Sequence, residues 1–337
     1  MKMDKVLYVV PNIENVSGGP KTRISMFKAI FLDGGDTVID GNRKLQKSLR
    51  AKKNLRVYVE SATNRISFID LLSLLYLRLI SKEIVVFIRD IYIELFPHEY
   101  ASFRGRITMI FNKASNFFLS LISTKMAFPT KDMGRIFFEK NTWFPKRRYF
   151  ALPPGCVSNG LGGTKVDFSK RLGILYLGSV SYANAGFDHF LEFAEKNKEE
   201  YAFFVLSGDN RAAEMTKNKD HIIVDRVEHS KIAEYITENN IFLGFHSRPR
   251  NEYDDITFPI KALDFIGFHL PFVTDRHKPI CELLGNEYEL FTNISEFEET
   301  DKVIKEISNE DKYSKVTFLL EQVASRNSYI KRYESIF

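Results

Sequence analysis

A proline, a lysine and an aspartate stand close together in residues 258–273, FPIKALDFIGFHLPFV. Pro259 suits the first turn of a helix, because its missing N–H removes no hydrogen bond there, and Gly267 suits the helix end. Lys261 and Asp264 are three residues apart, so they share one helix face. A helix start attracts anions through its free N–H groups, so this stretch suits a phosphate beside Lys261 and ribose hydroxyls on Asp264. The alternative is an ordinary amphipathic helix whose charges lie in water.

Short apolar strands alternate with amphipathic helices along the chain, and these elements must position the charged residues. Several strands are continuously apolar, which is typical of strands that are covered on both faces. The alternation predicts an α/β protein with parallel, doubly wound sheets. Strands are expected at residues 5–10, 37–40, 55–60, 84–88, 126–128, 149–152, 172–177, 202–207, 222–224, 241–245 and 272–274. Helices are expected at residues 20–32, 68–80, 103–122, 188–197, 231–238, 261–266, 279–284 and 312–337.

A chain of 337 residues is long for one hydrophobic core and suits two domains of about 150 residues each. Residues 153–163, PPGCVSNGLGG, have the proline and glycine content of a linker between such domains. Cys156 and Cys281 are far apart in sequence and lack metal-ligand spacing, which predicts free thiols in a reducing cytoplasm. We recognise no signal peptide and no bilayer-spanning stretch, so the protein is expected to stay in the compartment where it is made.

The charge is distributed unevenly between the two halves of the chain. Residues 1–165 contain 27 Lys and Arg against 13 Asp and Glu, a net charge of +14, whereas residues 166–337 carry −9. A strongly basic half predicts a polyanionic partner, either nucleic acid or an anionic membrane surface. No zinc-finger, helix-turn-helix or aromatic RNA-binding motif occurs, so we expect no nucleic-acid partner and favour the membrane.

Two basic and aromatic segments of this half are the candidate membrane contacts. The first begins at Phe103 and ends at Lys125, and its basic residues beside an aromatic and aliphatic face suit a helix lying in a lipid interface. The second begins at Trp143 and ends at Tyr149, WFPKRRY, and has the residue types favoured at headgroup depth. The alternative is that both apolar faces pack on the protein core.

Four stretches of the sequence together resemble retaining glycosyltransferases of family four. Residues 258–273 are similar to the family's donor-site signature, a Pro-x-Lys-x-x-Glu-Tyr run followed by Gly-x-Pro and a short strand. Residues 17–20, SGGP, match its first glycine loop, and residues 151–157, ALPPGCV, match its interdomain turn. Residues 174–190, ILYLGSVSYANAGFDHF, resemble the opening of its donor domain. The four matches occur in the family's order and span most of the chain.

The resemblance implies the GT-B fold, in which two Rossmann-like domains face a central cleft. The N-terminal domain, residues 1–160, would bind the acceptor, which in this family is often lipid-linked. Residues 166–317 would form the domain that binds the nucleotide-sugar, and a C-terminal helix at about 318–337 would pack back on the N-terminal domain. The nucleotide-sugar is the donor substrate, so no cofactor is expected, and the family generally works without a metal.

The resemblance and the strand ends assign candidate roles to individual residues. Gly18 and Gly19 follow the first strand, where a backbone can approach a ligand closely, although an ordinary turn is the alternative. Arg89 and Asp90 follow an apolar strand at the end where such sheets bind ligands, although a structural ion pair is the alternative. The donor-binding set is Gly18, Gly19, Ser179, Arg248, Thr257, Lys261 and Asp264. The acceptor-binding pair is Arg89 and Lys21, and the catalytic pair is Asp90 and Asp255.

One departure from the family concerns the diphosphate. Ser179 and Ala185 stand where the family has an Arg and a Lys that bind it, so other cations must replace them. Lys261, Arg248 and Arg250 are the candidates, because cations and especially guanidinium groups bind phosphate oxygens well. The alternative for the two arginines is pairing with the acidic residues of their own loop.

A second departure concerns the family's two glutamates. Asp264 replaces the second, while Ile256 stands where the first is expected and cannot accept a hydrogen bond through its side chain. Asp254 or Asp255 is expected to substitute for it. The same two aspartates also suit a metal, but no Asp-x-Asp pattern at a strand end accompanies them.

These observations predict a glycosyltransferase that moves a sugar from a nucleotide-sugar to a glycan or lipid-linked acceptor, with retention and without metal. One alternative is a catalytically inactive scaffold subunit that binds sugar nucleotides, which the missing Arg, Lys and Glu favour. Another is a sugar-nucleotide epimerase or hydrolase of the same fold. Among the histidines, His246 at a strand end is the candidate donor contact. We expect a cytoplasmic protein that lies at the inner face of the cell membrane.

Overall fold

The computed structural model describes residues 6–10, 19–40, 44–51, 55–60, 66–158, 166–181 and 184–337. The chain divides into two compact units. The first comprises Met1–Gly155, Ile256–Phe258 and Tyr329–Phe337, and the second comprises Cys156–Asp255 and Pro259–Ser328. Each unit contains a parallel sheet, so the predicted α/β class with two doubly wound sheets is confirmed.

The sheet of the first unit has six parallel strands in the order β2-β1-β3-β4-β5-β6. The strands are β1 (Val6–Val9), β2 (Thr37–Ile39), β3 (Leu55–Glu60), β4 (Ser81–Phe87), β5 (Lys125–Phe128) and β6 (Arg148–Ala151). In the central pair, Val57 lies opposite Ile84 and Val59 opposite Val86, and all four side chains are buried. The continuous apolar runs form strands here because both faces of the sheet are covered.

Helices follow the strands of the first unit. They are α1 (Gly19–Asp33), α2 (Lys44–Leu49), α3 (Phe68–Ile80), α4 (Tyr92–Leu95), α5 (Phe103–Ile122) and α6 (Lys131–Lys140). Three of them begin after a hydroxyl residue whose side chain accepts from a backbone N–H of the first turn: Ser67 before α3, Ser102 before α5 and Thr130 before α6. Such caps satisfy a donor that the helix start would otherwise leave unpaired, so they fix where these helices begin.

A buried ion pair joins α1 to β3 in the first unit. Arg23, which is 4% exposed, places its Nε atom 2.8 Å from Glu60 Oε1. Its Nη2 donates to Tyr58 Oη at 3.0 Å, and its Nη1 donates to the Leu152 carbonyl at 3.2 Å. The guanidinium carbon lies 3.8 Å from the centroid of the Phe87 ring. The charge is therefore buried with its hydrogen bonds made, as an internal ion pair requires.

The sheet of the second unit has five parallel strands in the order β11-β10-β7-β8-β9. The strands are β7 (Gly173–Leu177), β8 (Ala202–Leu206), β9 (Ile222–Asp225), β10 (Ile241–His246) and β11 (Phe272–Thr274). The helices are α7 (Phe187–Lys196), α8 (Arg211–Met215), α9 (Ile232–Glu238), α10 (Ile260–Phe268), α11 (Lys278–Leu284), α12 (Phe297–Ile307) and α13 (Glu310–Arg326). Strands β7 and β10 are buried along their whole length, so they form the centre of this unit.

The C-terminal segment differs from the single helix expected at about 318–337. Helix α13 ends at Arg326, and a short helix α14 (Tyr329–Glu334) follows. Only Tyr329–Phe337 belongs to the first unit. There the Tyr329 ring packs edge-on against Phe27 at 5.5 Å, and the Tyr333 hydroxyl donates to Asp36 at 2.7 Å. The helix breaks at Asn327, whose backbone N–H caps α13 by bonding to carbonyls in its last turn.

Candidate functional site

The strand order of the second sheet marks one place for a ligand. The chain runs from β7 outwards to β8 and β9, and then returns to form β10 and β11 on the other side of β7. Open parallel sheets bind ligands beyond the carboxyl ends of the strands at such a reversal. Here those ends are Leu177 of β7 and His246 of β10. The residues that follow them, and the start of α10, form the candidate site.

Lys261 lies in the first turn of α10 and extends to the end of β7. Its Nζ atom donates to Tyr176 Oη at 3.0 Å and to the Ser179 carbonyl at 3.2 Å, and it lies 4.6 Å from the centroid of the Tyr176 ring. An ammonium has three N–H donors, and the third has no acceptor among the described residues. Burial, followed by the nearby Arg248 charge, lowers the pKa of Lys261 to about 8, while Asp264 opposes the change.

The glycine after β7 is required by this arrangement. Gly178 has a φ of +113°, a backbone conformation that residues other than glycine rarely adopt. A Cβ atom at this position would lie 2.5 Å from the Cε atom of Lys261. Any other residue would therefore push the lysine away from its position over Tyr176. The sequence signal for this residue is the glycine directly after an apolar strand, in the stretch YLGS.

Ser179, a predicted donor-binding residue, lies beside Lys261, but its hydroxyl is already engaged. Its Oγ atom donates to Asp209 Oδ2 at 2.9 Å, and Ser181 donates to the same oxygen. The hydrogen bond from Ser181, aided by the Arg211 N–H and by Ser179, lowers the pKa of Asp209 to about 2. A hydroxyl has only one O–H, and that of Ser179 is used by Asp209. Ser179 can therefore donate to a ligand only through its backbone N–H. Ala185, which stands where the family has the other diphosphate-binding cation, is buried.

Arg248 follows β10 and is held by a buried carboxylate. Its Nε atom lies 2.6 Å from Asp254 Oδ2, and the carboxylate is 1% exposed. Asn251 also donates to that oxygen, at 2.5 Å. Arg248 itself is 31% exposed, and in the described part of the chain nothing accepts from its Nη atoms. Its charge acts on Lys261, so the structure brings these two candidate cations together.

Arg250 and Asp255 form a separate pair. The guanidinium of Arg250 forks onto both oxygens of Asp255 at 2.8–3.1 Å, and the Lys278 N–H donates to the same carboxylate at 3.0 Å. These bonds outweigh burial and lower the pKa of Asp255. For Arg250 the structure therefore agrees with the alternative expected from its sequence, pairing with an acid of its own loop. Asp255, the predicted catalytic residue, stands in that pair rather than beside Lys261.

Asp264 lies one turn after Lys261, with its carboxylate 31% exposed. His229 Nε2 lies 3.4 Å from Asp264 Oδ1, and this contact raises the pKa of His229 although burial opposes it. His229 belongs to a short turn after β9 and was not among the predicted site residues. The carboxylate keeps accessible oxygen atoms, as the predicted contact with ribose hydroxyls requires.

His246, the candidate donor contact, is buried rather than lining the site. It is 2% exposed, and its Nδ1 atom lies 2.9 Å from Thr274 Oγ1. Burial, followed by the neighbouring His277, Lys261 and Arg248, lowers its pKa, so the ring is neutral at pH 7. His277 packs against it with ring centroids 5.4 Å apart and donates to the Arg248 carbonyl at 2.9 Å. His277 thus holds the Arg248 backbone, and His246 packs against His277.

The ends of α10 differ in detail from the sequence expectation. Pro259 precedes the helix as its N-cap, and Ile260 is the first helical residue. Gly267 was expected at the helix end, and this is wrong: the helix continues to Phe268, and His269 ends it in the left-handed conformation with φ 57°. Gly267 is required by packing, since a Cβ atom there would lie 2.2 Å from the Val157 carbonyl oxygen.

The remaining predicted residues belong to the first unit. Arg89 and Asp90 follow β4, with Nε 3.6 Å from Oδ2, and burial raises the pKa of Asp90 although Arg89 opposes it. Gly19 begins α1 and Lys21 is exposed on that helix. Thr257 lies in the segment Ile256–Phe258. Gly18 lies outside the described residues.

Besides Gly178 and His229, three residues of the site were not predicted as ligand contacts or supports. Tyr176 lies inside an apolar strand, where no sequence signal marks it. Asp209 follows β8 in the stretch SGDN, and an acidic residue just past an apolar strand was a usable signal. His277 has no local signal. Across the described ranges, no three His, Cys, Asp or Glu side chains gather in a way that could hold a metal ion.

No protein-family model and no curated protein matches the sequence. Solved structures do match. The α,α-trehalose-phosphate synthase (UDP-forming) of Burkholderia vietnamiensis aligns with 99% of this chain and 96% of its own, at a TM-score of 0.64 and 9% identity. The corresponding enzyme of Burkholderia xenovorans, in complex with glucose-6-phosphate, aligns with 98% of this chain and 98% of its own, at a TM-score of 0.61 and 10% identity.

The pneumococcal O-GlcNAc transferase GtfA in complex with UDP and GlcNAc aligns with 87% of this chain, at a TM-score of 0.54 and 13% identity. This chain spans 57% of the length of GtfA. At such identities the likeness shows the fold alone. The chain has the fold of the GT-B glycosyltransferases, which confirms that part of the resemblance found in the sequence.

Proposed function

We propose that the protein is a glycosyltransferase that moves a sugar from a nucleotide-sugar donor to a glycan or lipid-linked acceptor. The observation that carries the proposal is the partly desolvated Lys261 ammonium, which lies at the reversal of a doubly wound sheet with one N–H unused by the described residues. A buried cation without a carboxylate partner is costly, and an anionic ligand would compensate for it. The GT-B fold supports a nucleotide-sugar as that ligand.

Lys261 and Arg248 are the proposed replacements for the family's missing Arg and Lys. The charge of Arg248 lowers the pKa of Lys261, so the two cations influence each other. The start of α10 adds backbone N–H groups and the positive end of the helix dipole. Asp264 is the proposed acceptor for ribose hydroxyls. The other proposed donor contacts are Gly18, Gly19, Ser179 and Thr257.

The proposed reaction is transfer with retention, as in family four, without metal or cofactor. The acceptor oxygen bonds to the anomeric carbon on the face that the diphosphate leaves, and the acceptor proton passes to a diphosphate oxygen. Stabilising the departing diphosphate is the main electrostatic contribution, and it falls to Lys261 and Arg248. Arg89 and Lys21 are the proposed acceptor contacts. Asp90 and Asp255 are the proposed contacts to hydroxyls near the reacting carbon.

Incubation of the full chain with UDP-, GDP- and dTDP-sugars, with and without lipid-linked acceptors, tests this function. UDP-sugars come first because the similar structures are described as UDP-forming or UDP-bound. Nucleotide release that requires an acceptor, with the sugar recovered on that acceptor, is the expected result. An absence of binding for every nucleotide tested would rule out the donor site.

A second candidate is a scaffold subunit that binds a sugar nucleotide without turning it over. Two observations favour it: Ser179 commits its hydroxyl to Asp209, and Asp255 commits its carboxylate to Arg250. Binding without release under all acceptor conditions would select the scaffold. Release of the nucleotide without transfer of the sugar would indicate a hydrolase. Conversion of the donor sugar to its epimer would indicate an epimerase.

Replacing Arg248 with glutamine is expected to weaken UDP binding by about 10- to 100-fold, because a charge-assisted phosphate contact contributes roughly 1.5–3 kcal/mol. The matched control is Arg250→Gln, whose guanidinium is 54% exposed and already forked onto Asp255. The control is expected to change the dissociation constant less than threefold in isothermal titration calorimetry, a limit of roughly 0.6 kcal/mol.

Arg248→Gln also leaves the buried Asp254 without its cation, so a second variant keeps the test interpretable. Arg248→Gln/Asp254→Asn removes both charges and is expected to bind UDP as weakly as the single variant while melting closer to the wild type. Equal losses in Arg248→Gln and Arg250→Gln would exclude a specific role for Arg248.

A further inference from the structure

Exposed apolar side chains are concentrated on two helices of the first unit. Of the sixteen large hydrophobic residues that are exposed in the described part of the chain, eleven belong to α3, to α5 or to the position of Trp143. On α3, Phe68, Leu72, Leu75 and Leu79 recur at helical spacing, and Phe68 and Leu79 are 73% and 84% exposed. We call the exposed apolar side chains of α3 and α5, together with Trp143, the apolar face.

The opposite side of α3 is apolar as well. Leu74 and Leu77 are buried in the core of the first unit. A helix with apolar side chains on both its inner and its outer face is normally covered on both faces, yet the outer stripe of α3 faces solvent. The N-terminal part of α5 also exposes large apolar side chains, since Phe103 is 80% and Ile110 is 63% exposed.

The two helices and Trp143 form one surface. Helices α3 and α5 contact each other, and the Ile66 N–H at the start of α3 donates to Ser115 Oγ of α5 at 3.2 Å. The Trp143 ring stacks on Phe117 of α5 at 5.1 Å. Isolated surface hydrophobic residues are ordinary in soluble proteins, whereas exposed apolar side chains concentrated on neighbouring elements indicate an interaction site.

The charges around the apolar face identify the kind of partner. Helix α5 contains no Asp or Glu and carries Arg104, Arg106 and Lys113, while α3 carries Asp70 and Arg78. A partner must therefore offer an apolar layer beneath negative charge. A second copy of this chain fits poorly, because a two-fold dimer places the same basic surface against itself. An anionic lipid surface supplies both features, and tryptophan is favoured at its headgroup level.

We infer that the apolar face docks on the surface of an anionic membrane, with its leucine and phenylalanine side chains in the lipid interface and its arginines among the headgroups. No helix within the described ranges is long and apolar enough to cross a bilayer, so the contact inferred is peripheral. The inference does not depend on the glycosyltransferase activity, although a lipid-linked acceptor would lie in the same membrane.

The structure changes which residues carry this surface compared with the sequence prediction. Helix α3 joins the segment from Phe103 to Lys125. Within the second predicted segment only Trp143 contributes an exposed aromatic ring, since Phe144 is 3% exposed and Tyr149 packs against Phe138 at 5.5 Å. Among the aromatic residues of the predicted stretch from Trp143 to Tyr149, only Trp143 is therefore exposed for contact with lipid.

Flotation of the full chain with vesicles tests the inference. The protein is expected to float with vesicles of equal phosphatidylglycerol and phosphatidylcholine, and at least tenfold less with phosphatidylcholine alone. Leu75→Glu/Leu79→Glu should lose flotation by tenfold or more. Arg104→Gln/Arg106→Gln should lose about 30-fold, since each of the two basic residues adds about 1 kcal/mol near an anionic surface.

The matched control is Phe318→Glu on α13, a residue that is 60% exposed and lies in the second unit. It should float like the wild type, and UDP binding should be unchanged in every variant, which separates this inference from the proposed function. Equal flotation of wild type and Leu75→Glu/Leu79→Glu overturns the inference. So does light scattering that shows a dimer which those substitutions dissociate, because the apolar face would then cover itself.

Discussion

Lys261→Met is expected to abolish measurable binding of nucleoside diphosphates while making the protein more stable than the wild type. The reason is the lowering of the lysine pKa from 10.5 to about 8. A shift of this size means that holding the charged ammonium costs the folded state roughly 3 kcal/mol at neutral pH. Methionine removes that cost and keeps a side chain of similar length. A residue that lowers stability but is needed for binding is characteristic of a functional site.

The pH dependence provides the control for this prediction. The folded pKa lies below the unfolded one, so between about pH 8 and 10.5 the unfolded chain holds the proton that the folded chain has released. Stability conferred by this group therefore rises with pH in that window, and Lys261→Met lacks the rise. Nucleotide affinity should fall over the same window, because the ligand needs the ammonium. Hydrogen exchange at β7 and β10 measures the stability, and titration calorimetry measures the affinity. A variant less stable than the wild type at pH 7 would contradict the argument.

Glu60→Leu is expected to destabilise the first unit by about 3–5 kcal/mol, because it leaves the buried Arg23 charge without its partner. The effect should exceed that of removing both charges. Arg23→Met/Glu60→Leu replaces the pair with apolar side chains and is expected to recover at least half of the loss, with the remainder due to the Tyr58 hydroxyl, which bonds to both residues.

The chain has a single tryptophan, Trp143, and it belongs to the first unit, so its fluorescence in urea reports this unit separately. The urea concentration at the unfolding midpoint is expected to be highest for the wild type, lower for Arg23→Met/Glu60→Leu and lowest for Glu60→Leu. A double variant as unstable as Glu60→Leu would show that the ion pair itself, rather than the cost of an unpaired charge, holds α1 on β3.

The sequence predicted the sheets well because continuous apolar runs leave few alternatives. All eleven expected strands occur at the expected places, and α10 was found from its proline, lysine and aspartate. Helices α2, α4, α6, α8 and α12 were missed, although Thr130 followed by Asp132 is a usable start signal for α6. The break at Asn327 could not be predicted, since it depends on where the last residues pack.

The candidate site was predictable only in part. Lys261 and Ser179 come together because both lie at ends of neighbouring elements, which a strand pattern can indicate. By contrast, Tyr176 is one apolar strand residue among several, and its contact with Lys261 depends on the pairing of β7 with β10. The sequence named both Arg248 and Arg250 as candidate cations for the diphosphate, although only Arg248 was placed in the donor-binding set. In the structure Asp255 accepts from Nε and Nη2 of Arg250, whereas Asp254 lies beside the Nε atom of Arg248.

The position of Lys261 over Tyr176 also has a consequence for chemical reactivity. With a pKa of about 8, about half of the Lys261 side chains are free amines at pH 8, whereas an ordinary lysine is then well below about 1% deprotonated. A free amine is a nucleophile and an ammonium is not. Mild acylating or aldehyde reagents would therefore modify Lys261 ahead of the other lysines. An anion bound at the site would return the amine to its protonated form and protect it, so the residue proposed to bind the ligand would also report its presence.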